Sequence, residues 1–235
     1  MRSTLIVSSV VAALAFASGT AQAQNLLSNG DLDLTVPTEI VPGFFLPKPQ
    51  VWENIGTRSI SGPYEDEMSS EPWAGPAPTP VTADDWGVFF KAFTGGPVTG
   101  AATGHLQQAV GGSPGVLYTL TGWAGAEANF LADGAVFAID FLDAGNNVIG
   151  GNSVDLLAGL FVPNGQPFNY KSYSVSAVAP AGTVLVRARA SMIDGVNNPA
   201  GGGQAFVVDD FTLVPEPTTA LGMLALGLAA LARRR

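Results

Sequence analysis

Glycine and proline are spread along nearly the whole chain, and this feature most constrains its fold. The 235 residues include 29 glycines and 17 prolines, and no long segment between residues 24 and 214 keeps a helical period. Short apolar and β-branched runs separated by turn residues are typical of an all-β protein. The runs predicted as strands lie at 86–93, 116–123, 135–142, 172–178, 183–191 and 205–213, with a short strand at 148–149 after a hairpin loop at 143–147.

The run 183–191 shows the alternation of a strand most plainly. Valine or alanine stands at every second position from 184 to 190, and Arg187 and Arg189 alternate with them. An apolar side opposite a charged side is the pattern of a half-buried strand. We therefore expect one face of this strand to lie in the core.

The first 23 residues have the composition of a secretory signal helix. Arg2 precedes an apolar run at 5–17, and the segment ends in Ala21-Gln22-Ala23. This order predicts export and cleavage before Gln24. A first transmembrane helix is the alternative, but the apolar run is short for one.

The last 21 residues form a second targeting pattern. Pro215, Glu216 and Pro217 precede the uncharged residues 218–232, and Arg233, Arg234 and Arg235 end the sequence. A helix over 218–232 spans about 22 Å, short of the roughly 30 Å hydrocarbon core, so it would insert by thinning the bilayer. The arginines favour a cytoplasmic end. A C-terminal helix packed on a soluble core is the alternative, which explains neither the nearly all-round apolar surface nor the arginines.

This order of motif, apolar helix and arginine cluster resembles the PEP-CTERM sorting signal of Gram-negative bacteria. The resemblance implies an exosortase-type protease that recognises residues 215–217 and removes the tail. It also implies that the C-terminal helix holds the protein at the inner membrane before processing, and that the protein then reaches the cell surface or extracellular matrix. We expect three parts: a signal peptide at 1–23, a domain at 24–214 and a sorting signal at 215–235.

The domain between the two signals is acidic. Residues 24–214 contain six Lys or Arg and eighteen Asp or Glu, a net charge of −12. This charge argues against nucleic acid, whose phosphates require the opposite sign, and is compatible with calcium or with solubility outside the cell. The chain has no cysteine, so an ordinary hydrophobic core must stabilise the domain, and its length suffices for one such core.

A proline-rich stretch interrupts the strand pattern near the start of the domain. Residues 37–80 hold nine of the seventeen prolines and the acidic cluster at 65–67. We expect a surface-loop excursion with one or two strands. A linker between two domains is the alternative, but residues 24–36 are too few to fold alone.

Several stretches, in order, resemble galactose-binding-like jelly rolls, the fold of many carbohydrate-binding modules. Residues 25–33 resemble the first strand, with Leu32 and Asp33 where Phe and Glu are commoner. The central hairpin and the closing strand of that fold match residues 108–110, 114–123 and 209–213. We therefore expect an antiparallel β-sandwich of jelly-roll type between the signal helix and the C-terminal hydrophobic helix.

Asp209 stands out in the last predicted strand. Period two places it on the same side as Val207, Phe211 and Leu213, so its carboxylate is predicted to point into the core. A buried carboxylate requires a cation or several hydrogen-bond donors. The alternative is a carboxylate that caps backbone amides in a tight corner without a metal.

The jelly-roll resemblance implies a structural calcium where the first and last strands meet. When the calcium ligands of that family are carried over by position, the carboxylate ligands are Asp33 and Asp209. Backbone carbonyls near Asp31 would complete the oxygen site. The resemblance also implies sugar binding by exposed aromatic rings, for which the ligand-binding candidates are Trp73, Trp52 and Tyr64. We expect Trp86 and Trp123 to be core rings, the commoner fate of Trp in a sandwich.

Catalytic signatures are weak. The single histidine, His105, lacks a partner motif, and the sequence contains neither a nucleophile elbow nor a His-Glu-x-x-His motif. We predict a non-catalytic surface protein that interacts with extracellular polysaccharide. A structural or adhesive matrix protein without a defined sugar is the alternative, and a glycoside hydrolase using a pair such as Asp140 and Asp143 comes third.

Overall fold

A computed structural model of the chain describes residues 24–58, 68–72, 85–92, 100–160 and 170–216. The predicted signal helix and C-terminal hydrophobic helix lie outside these residues, as do Tyr64, Trp73, Pro217 and Arg233, Arg234 and Arg235. The structure tests none of the predictions made for these residues.

Within the described ranges the regular structure consists of twelve strands and one short 3-10 turn, Leu157–Gly159. The strands are β1 (Thr35–Val41), β2 (Phe44–Pro49), β3 (Glu53–Arg58), β4 (Met68–Glu71), β5 (Gly87–Lys91), β6 (Ala102–Gly111), β7 (Leu117–Ala126), β8 (Gly134–Leu142), β9 (Val148–Asp155), β10 (Lys171–Val178), β11 (Leu185–Gly195) and β12 (Ala205–Pro215).

Ten of the strands form two five-stranded sheets. Sheet I has the order β10-β7-β12-β5-β4 and sheet II the order β3-β6-β11-β8-β9, while β1 and β2 pair as a separate ribbon. All of the pairings are antiparallel, and the chain passes repeatedly from one sheet to the other. These features confirm the predicted antiparallel β-sandwich.

The core lies between the two sheets and follows the predicted alternation. On β11, Val186, Ala188 and Ala190 are fully buried, and the two arginines between them project from the opposite face of sheet II. The ring of Phe211 lies at the centre of the core, with its centroid 5.3 Å from that of Trp52 and 5.1 Å from that of Phe137.

The proline-rich stretch contains more regular structure than the sequence predicted. Four strands, β1 to β4, lie within residues 35–71, where one or two were expected. Prolines are tolerated because β1 and β2 pair with each other as a two-stranded ribbon, with Pro37 opposite Pro47. Each strand of such a ribbon has an outer edge where the missing N–H breaks no ladder hydrogen bond.

Candidate functional site

Residues 25–34 form an irregular strap across the end of β12, where the resemblance predicted a first strand. The Asn25 Nδ2 donates to the Phe211 carbonyl at 3.0 Å, and its Oδ1 accepts from the Leu213 amide at 2.9 Å. The Phe211 amide donates to the Gly30 carbonyl at 2.6 Å. A Cβ at Gly30 would lie 2.3 Å from the Phe211 carbonyl oxygen. The close approach of the strap to β12 therefore requires glycine at this position.

The two departures from the family pattern have clear structural roles. Leu32 is fully buried and contributes an apolar side chain to the core at the position where Phe is commoner. The Asp33 Oδ1 accepts a hydrogen bond from the Trp86 amide at 2.8 Å. Asp33 thus ties the strap to the chain entering β5.

A β-bulge in β12 decides which way its acidic residues face. Asp209 is opposite Trp123 and Thr212 is opposite Thr121, so Asp210 and Phe211 together oppose a single residue of β7. Asp210 has a φ of 52°, as the extra residue of a bulge can adopt. Alternation therefore restarts after Asp210.

The bulge overturns the predicted orientation of Asp209. Val208 and Phe211 face the core, whereas Val207 packs on the outer face of sheet I with Phe89 and Tyr170. Asp209 alternates with Val208, so it projects from the outer face. The predicted burial is nevertheless present, since Asp209 is only 1% exposed.

The Asp209 carboxylate is poorly satisfied. Its Oδ1 accepts from the Asp210 amide at 2.7 Å, and its Oδ2 has no hydrogen-bond partner within the described part of the chain. Burial raises the pKa of Asp209 to about 9, with the charges of Asp210, Asp85 and Asp33 adding to the effect. Without a bound cation, this carboxyl group is protonated at neutral pH.

Beside Asp209 a cleft of about 830 Å³ opens on the outer face of sheet I. We call it the acidic cleft, because Asp31, Asp33 and Asp210 all line it. Burial raises the pKa of Asp210, and the charges of Asp85, Asp31 and Asp33 raise it further. The full lining consists of Asn25, Leu27, Asn29, Gly30, Asp31, Asp33, Leu34, Thr121, Trp123, Asp210, Phe211 and Thr212.

The burial of Trp52 and Trp123 is the reverse of what was predicted. Trp52, predicted to bind ligand, is 6% exposed, and its indole N–H donates to the Asn29 carbonyl at 2.8 Å while its ring packs on Phe211. This environment is that of a core ring, because the ring packs against the interior of the fold. Trp123, predicted to be a core ring, is half-buried and lines the acidic cleft. Trp86, also predicted to be a core ring, is likewise half-buried.

A sequence signal for Trp123 was present in β7. Tyr118, Leu120 and Ala124 face the core, so period two places Trp123 on the other side of the strand with Thr121. Applying the alternation to the whole of β7, instead of relying on the general preference of Trp for cores, would have found this ring.

The carboxylates proposed for glycoside hydrolysis are both satisfied by other groups. Asp140 is largely buried, but hydrogen bonds and charge from Arg189 and Arg187 outweigh that burial and lower its pKa. In the hairpin loop, hydrogen bonds from Asn147 and Gly145 lower the pKa of Asp143. An acid that donates a proton at neutral pH needs a raised pKa, whereas the pKa of both of these carboxyl groups is lowered.

The calcium site at Asp33 and Asp209 stays a prediction. The charge of Asp33 acts on Asp209, so the two predicted ligands are neighbours. Across the described ranges, however, no group of three or more Asp, Glu, His or Cys side chains has the arrangement of a metal site. Any cation beside Asp209 would thus depend on backbone carbonyls or water for its remaining ligands.

Among the residues that the structure describes, no helix is long and apolar enough to cross a membrane.

Three solved structures illustrate the similarity of this fold to known proteins. The enzymatically active domain of tailspike protein 4 of bacteriophage CBA120 is 16% identical, with a TM-score of 0.48 over 82% of this chain and 21% of that chain. TmCBM61 in complex with β-1,4-galactotriose is 18% identical, with a TM-score of 0.44 over 83% of this chain and 100% of that chain. The CBM22-1 xylan-binding domain of Paenibacillus barcinonensis Xyn10C is 9% identical, with a TM-score of 0.44 over 82% of this chain and 95% of that chain. This chain therefore spans about a fifth of the tailspike chain and nearly all of the two modules.

No curated protein sequence matches the chain. A family model, the PEP-CTERM protein-sorting motif, matches residues 213–235. The match confirms the predicted sorting signal. The chain therefore ends in a PEP-CTERM sorting motif, the mark of an exported protein that is processed at the membrane by an exosortase.

Proposed function

We propose that the β-sandwich is a non-catalytic carbohydrate-binding domain and that the acidic cleft is its ligand site. The observation that carries this proposal is the half-buried indole of Trp123, which shares one cleft with Thr121, Thr212 and three carboxylates. An aromatic face offers a platform for the apolar face of a sugar ring. A few polar groups in a concave site then fix the orientation of the ligand.

The charge of the cleft defines the class of sugar. Asp31, Asp33 and Asp210 accept hydrogen bonds from sugar hydroxyls, and a bond to an ionised acceptor is stronger than a neutral one. The same carboxylates repel a uronic acid, since like charges brought together cost several kcal/mol. The ligand is therefore a polysaccharide of uncharged or amino sugars.

Glycan binding by the purified protein tests this proposal. We expect binding to neutral or amino-sugar polysaccharides and not to polyuronates, and at least about a tenfold loss of affinity in Trp123→Ala. Thr119→Ala is the matched control, because Thr119 projects from the same face of β7 outside the cleft. Failure to bind any glycan, or full binding by Trp123→Ala, contradicts the proposal and favours a structural matrix role.

We further propose that the C-terminal segment holds the protein at the inner membrane until an exosortase-type protease acts, after which the protein reaches the cell surface or extracellular matrix. The sorting-motif match over 213–235 supports this route. Replacing residues 215–217 by alanine should block processing and retain the protein in the membrane fraction, whereas alanine at Thr218 and Thr219 should not. Unchanged processing and location after the triple replacement argue against this route.

We also propose that calcium binds beside Asp209. The support is the nearly complete burial of this carboxylate, its unpartnered Oδ2 and the neighbouring charges of Asp210, Asp85 and Asp33. Asp33 would supply a second carboxylate, and calcium accepts such mixed oxygen ligands. A bound cation would balance the charges of Asp209 and Asp33 and fix the strap to β12, while Asp31 and Asp210 would keep the cleft acidic.

A further inference from the structure

One end of the sandwich gathers three loops and the end of β12, and we call it the exit end. The β6–β7 loop is tied to the β10–β11 loop by the Gly112 amide, which donates to the Val184 carbonyl at 2.9 Å. The Val184 amide in turn donates to the Leu142 carbonyl, at the start of the β8–β9 loop, at 2.8 Å. The three loops therefore form one connected surface.

The exit end exposes a group of large apolar side chains. Five such residues flank the three loops there, with exposed fractions between 37% and 61%. The strand register places these residues at the same end of the sandwich. Val178 is paired with Leu117 at the start of β7, and Val148 is paired with Leu142, the residue whose carbonyl accepts from the Val184 amide. The five are Leu117, Val148, Ile149, Val178 and Val184.

The same end is depleted of charge. The loops at 112–116, 143–147 and 179–184 hold sixteen residues, of which Asp143 alone is charged, and Glu216 after β12 adds a second carboxylate. The domain as a whole is strongly acidic, with a net charge of −12 over residues 24–214. An apolar, nearly uncharged end on an acidic domain is suited to contact with lipid and poorly suited to exposure in water.

The chain leaves the fold at this end. The Glu216 amide donates to the Leu117 carbonyl at 2.8 Å, so the chain is attached to β7 up to that residue. Only Pro217 separates Glu216 from the uncharged run 218–232. At no more than about 3.6 Å per residue, this run begins within about 7 Å of Glu216. When the run is embedded, the exit end must therefore lie at headgroup depth, since each polar layer is roughly 5–8 Å thick.

We infer that the exit end is a membrane-contact surface whose apolar side chains enter the lipid interface while the C-terminal segment is embedded. The inference rests on the proposed membrane hold of that segment. It assigns a bilayer as the partner because the apolar residues, the missing charge and the chain exit all coincide. The contact fixes the domain on the membrane and presents Pro215 and Glu216 at the bilayer surface.

Site-specific fluorescence on the full-length mature chain, residues 24–235, tests this inference. The chain contains no cysteine, so Val178→Cys and Val148→Cys each accept a single environment-sensitive label. Leu131→Cys is the control, since Leu131 is 45% exposed and lies at the opposite end, between β7 and β8. In vesicles of phosphatidylethanolamine and phosphatidylglycerol we expect a blue shift and quenching by spin-labelled lipid at residues 178 and 148, with neither change at 131.

A fourth label, on Leu226→Cys, reports insertion of the C-terminal run. Quenching at residue 226 without quenching at 178 and 148 overturns the membrane-contact surface and leaves the membrane hold intact. No quenching at 226 overturns both. A blue shift at 178 that is already complete without vesicles shows contact with a second copy of the chain and also overturns the inference.

Discussion

At the scale of single residues, Asp209 has surroundings that are unfavourable for an ionised carboxylate. A carboxylate that is 1% exposed, with one unpartnered oxygen and acidic neighbours, must take up either a proton or a cation. The groups that face it are Asp33 on the strap, Asp85 before β5, Asp210 on β12 and Tyr170 before β10. The two ways of neutralising it differ in their dependence on pH.

The first prediction concerns calcium and pH. With a chelator present, Asp209 in the folded protein keeps its proton up to a pKa of about 9, whereas Asp209 in the unfolded chain loses it near pH 4. The free energy of unfolding should therefore fall as pH rises between these two values, by up to about 1.4 kcal/mol per pH unit. Calcium binds the ionised form, so the rise in Tm that calcium produces should grow with pH over the same window. Thermal melts with calcium and with chelator at several pH values measure both effects.

The variant Asp209→Asn distinguishes stabilisation by bound calcium from stabilisation by protonation of Asp209. Asparagine resembles the protonated carboxyl group in shape, so this variant should melt like the wild type in chelator at low pH and should lose the calcium response. Asp133→Asn, at an exposed position, should keep that response. An unchanged calcium effect in Asp209→Asn excludes this site as the origin of the stabilisation.

The tryptophans show what the sequence can predict for a single side chain. The position of Trp123 on the outer face follows from its alternation with Leu120 and Ala124 in β7, and is predictable. The burial of Trp52 is not, because the adjacent residue Val51 is also apolar and yet is exposed. Trp52 is buried by Phe211 and the strap, which lie far from it along the chain.

At the scale of strands, a charged network joins β8 and β11 on the outer face of sheet II. The Asp140 Oδ2 accepts from the Arg187 Nε and Nη2 at 3.0 and 2.8 Å and from the Arg189 Nε at 2.9 Å. The Arg189 Nη1 donates to Ser191, whose hydroxyl shares a hydrogen bond with His105 on β6. The network thus spans three adjacent strands.

The second prediction follows from this network. Asp140→Ala leaves two neighbouring arginines without their shared carboxylate and should destabilise the domain by about 2 kcal/mol. This loss is smaller than the roughly 3–5 kcal/mol expected when a fully buried pair is broken, because the arginines are partly exposed. The arginines hold the pKa of Asp140 below its ordinary value. Its contribution is therefore present above about pH 4 and is lost as pH falls through the lowered pKa.

Urea unfolding at neutral and acidic pH measures this effect. The difference in unfolding free energy between wild type and Asp140→Ala should shrink as the pH is lowered, and the exposed control Asp133→Ala should show little effect at either pH. Equal stability of the wild type and Asp140→Ala at neutral pH contradicts the stabilising role of the network.

Strand positions were largely predictable, and strand irregularities were not. The runs at 135–142, 172–178 and 205–213 fall within or on β8, β10 and β12, because apolar alternation reflects the two faces of a sheet. The bulge at Asp210 leaves no trace in that pattern. Strict alternation continued through the bulge predicts Val207 and Phe211 on the same face of the strand, whereas they lie on opposite faces. Alternation thus explains why the strand was predicted correctly, and the bulge explains why the orientation of Asp209 was predicted wrongly.

At the scale of the whole molecule, the fold and the sorting signal overlap by a few residues. The sorting-motif match begins at residue 213, while β12 continues to Pro215 and the Glu216 amide is bonded to Leu117. The sequence predicts a boundary between residues 214 and 215, because charge and hydropathy change abruptly at 215–217. It did not predict the exit end, which depends on how three distant loops meet.

The third prediction concerns where the chain can be cut without loss of the fold. A chain of residues 24–216 retains all of β12 and the partners of the strap, so in detergent its Tm should equal that of residues 24–235. A chain ending at Asp210 lacks Phe211 and Leu213, which are 1% and 0% exposed. Their burial contributes roughly 1.5–3 kcal/mol each, and Asn25 also loses its partners on β12. These losses approach the 5–15 kcal/mol or so that stabilises a whole domain, so the shorter chain should not fold cooperatively. Circular dichroism melts of the three chains measure these differences. A Tm for residues 24–216 well below that of residues 24–235 would mean that the sorting segment belongs to the fold. Equal Tm values mean that an exosortase can remove the sorting segment and leave the sandwich whole.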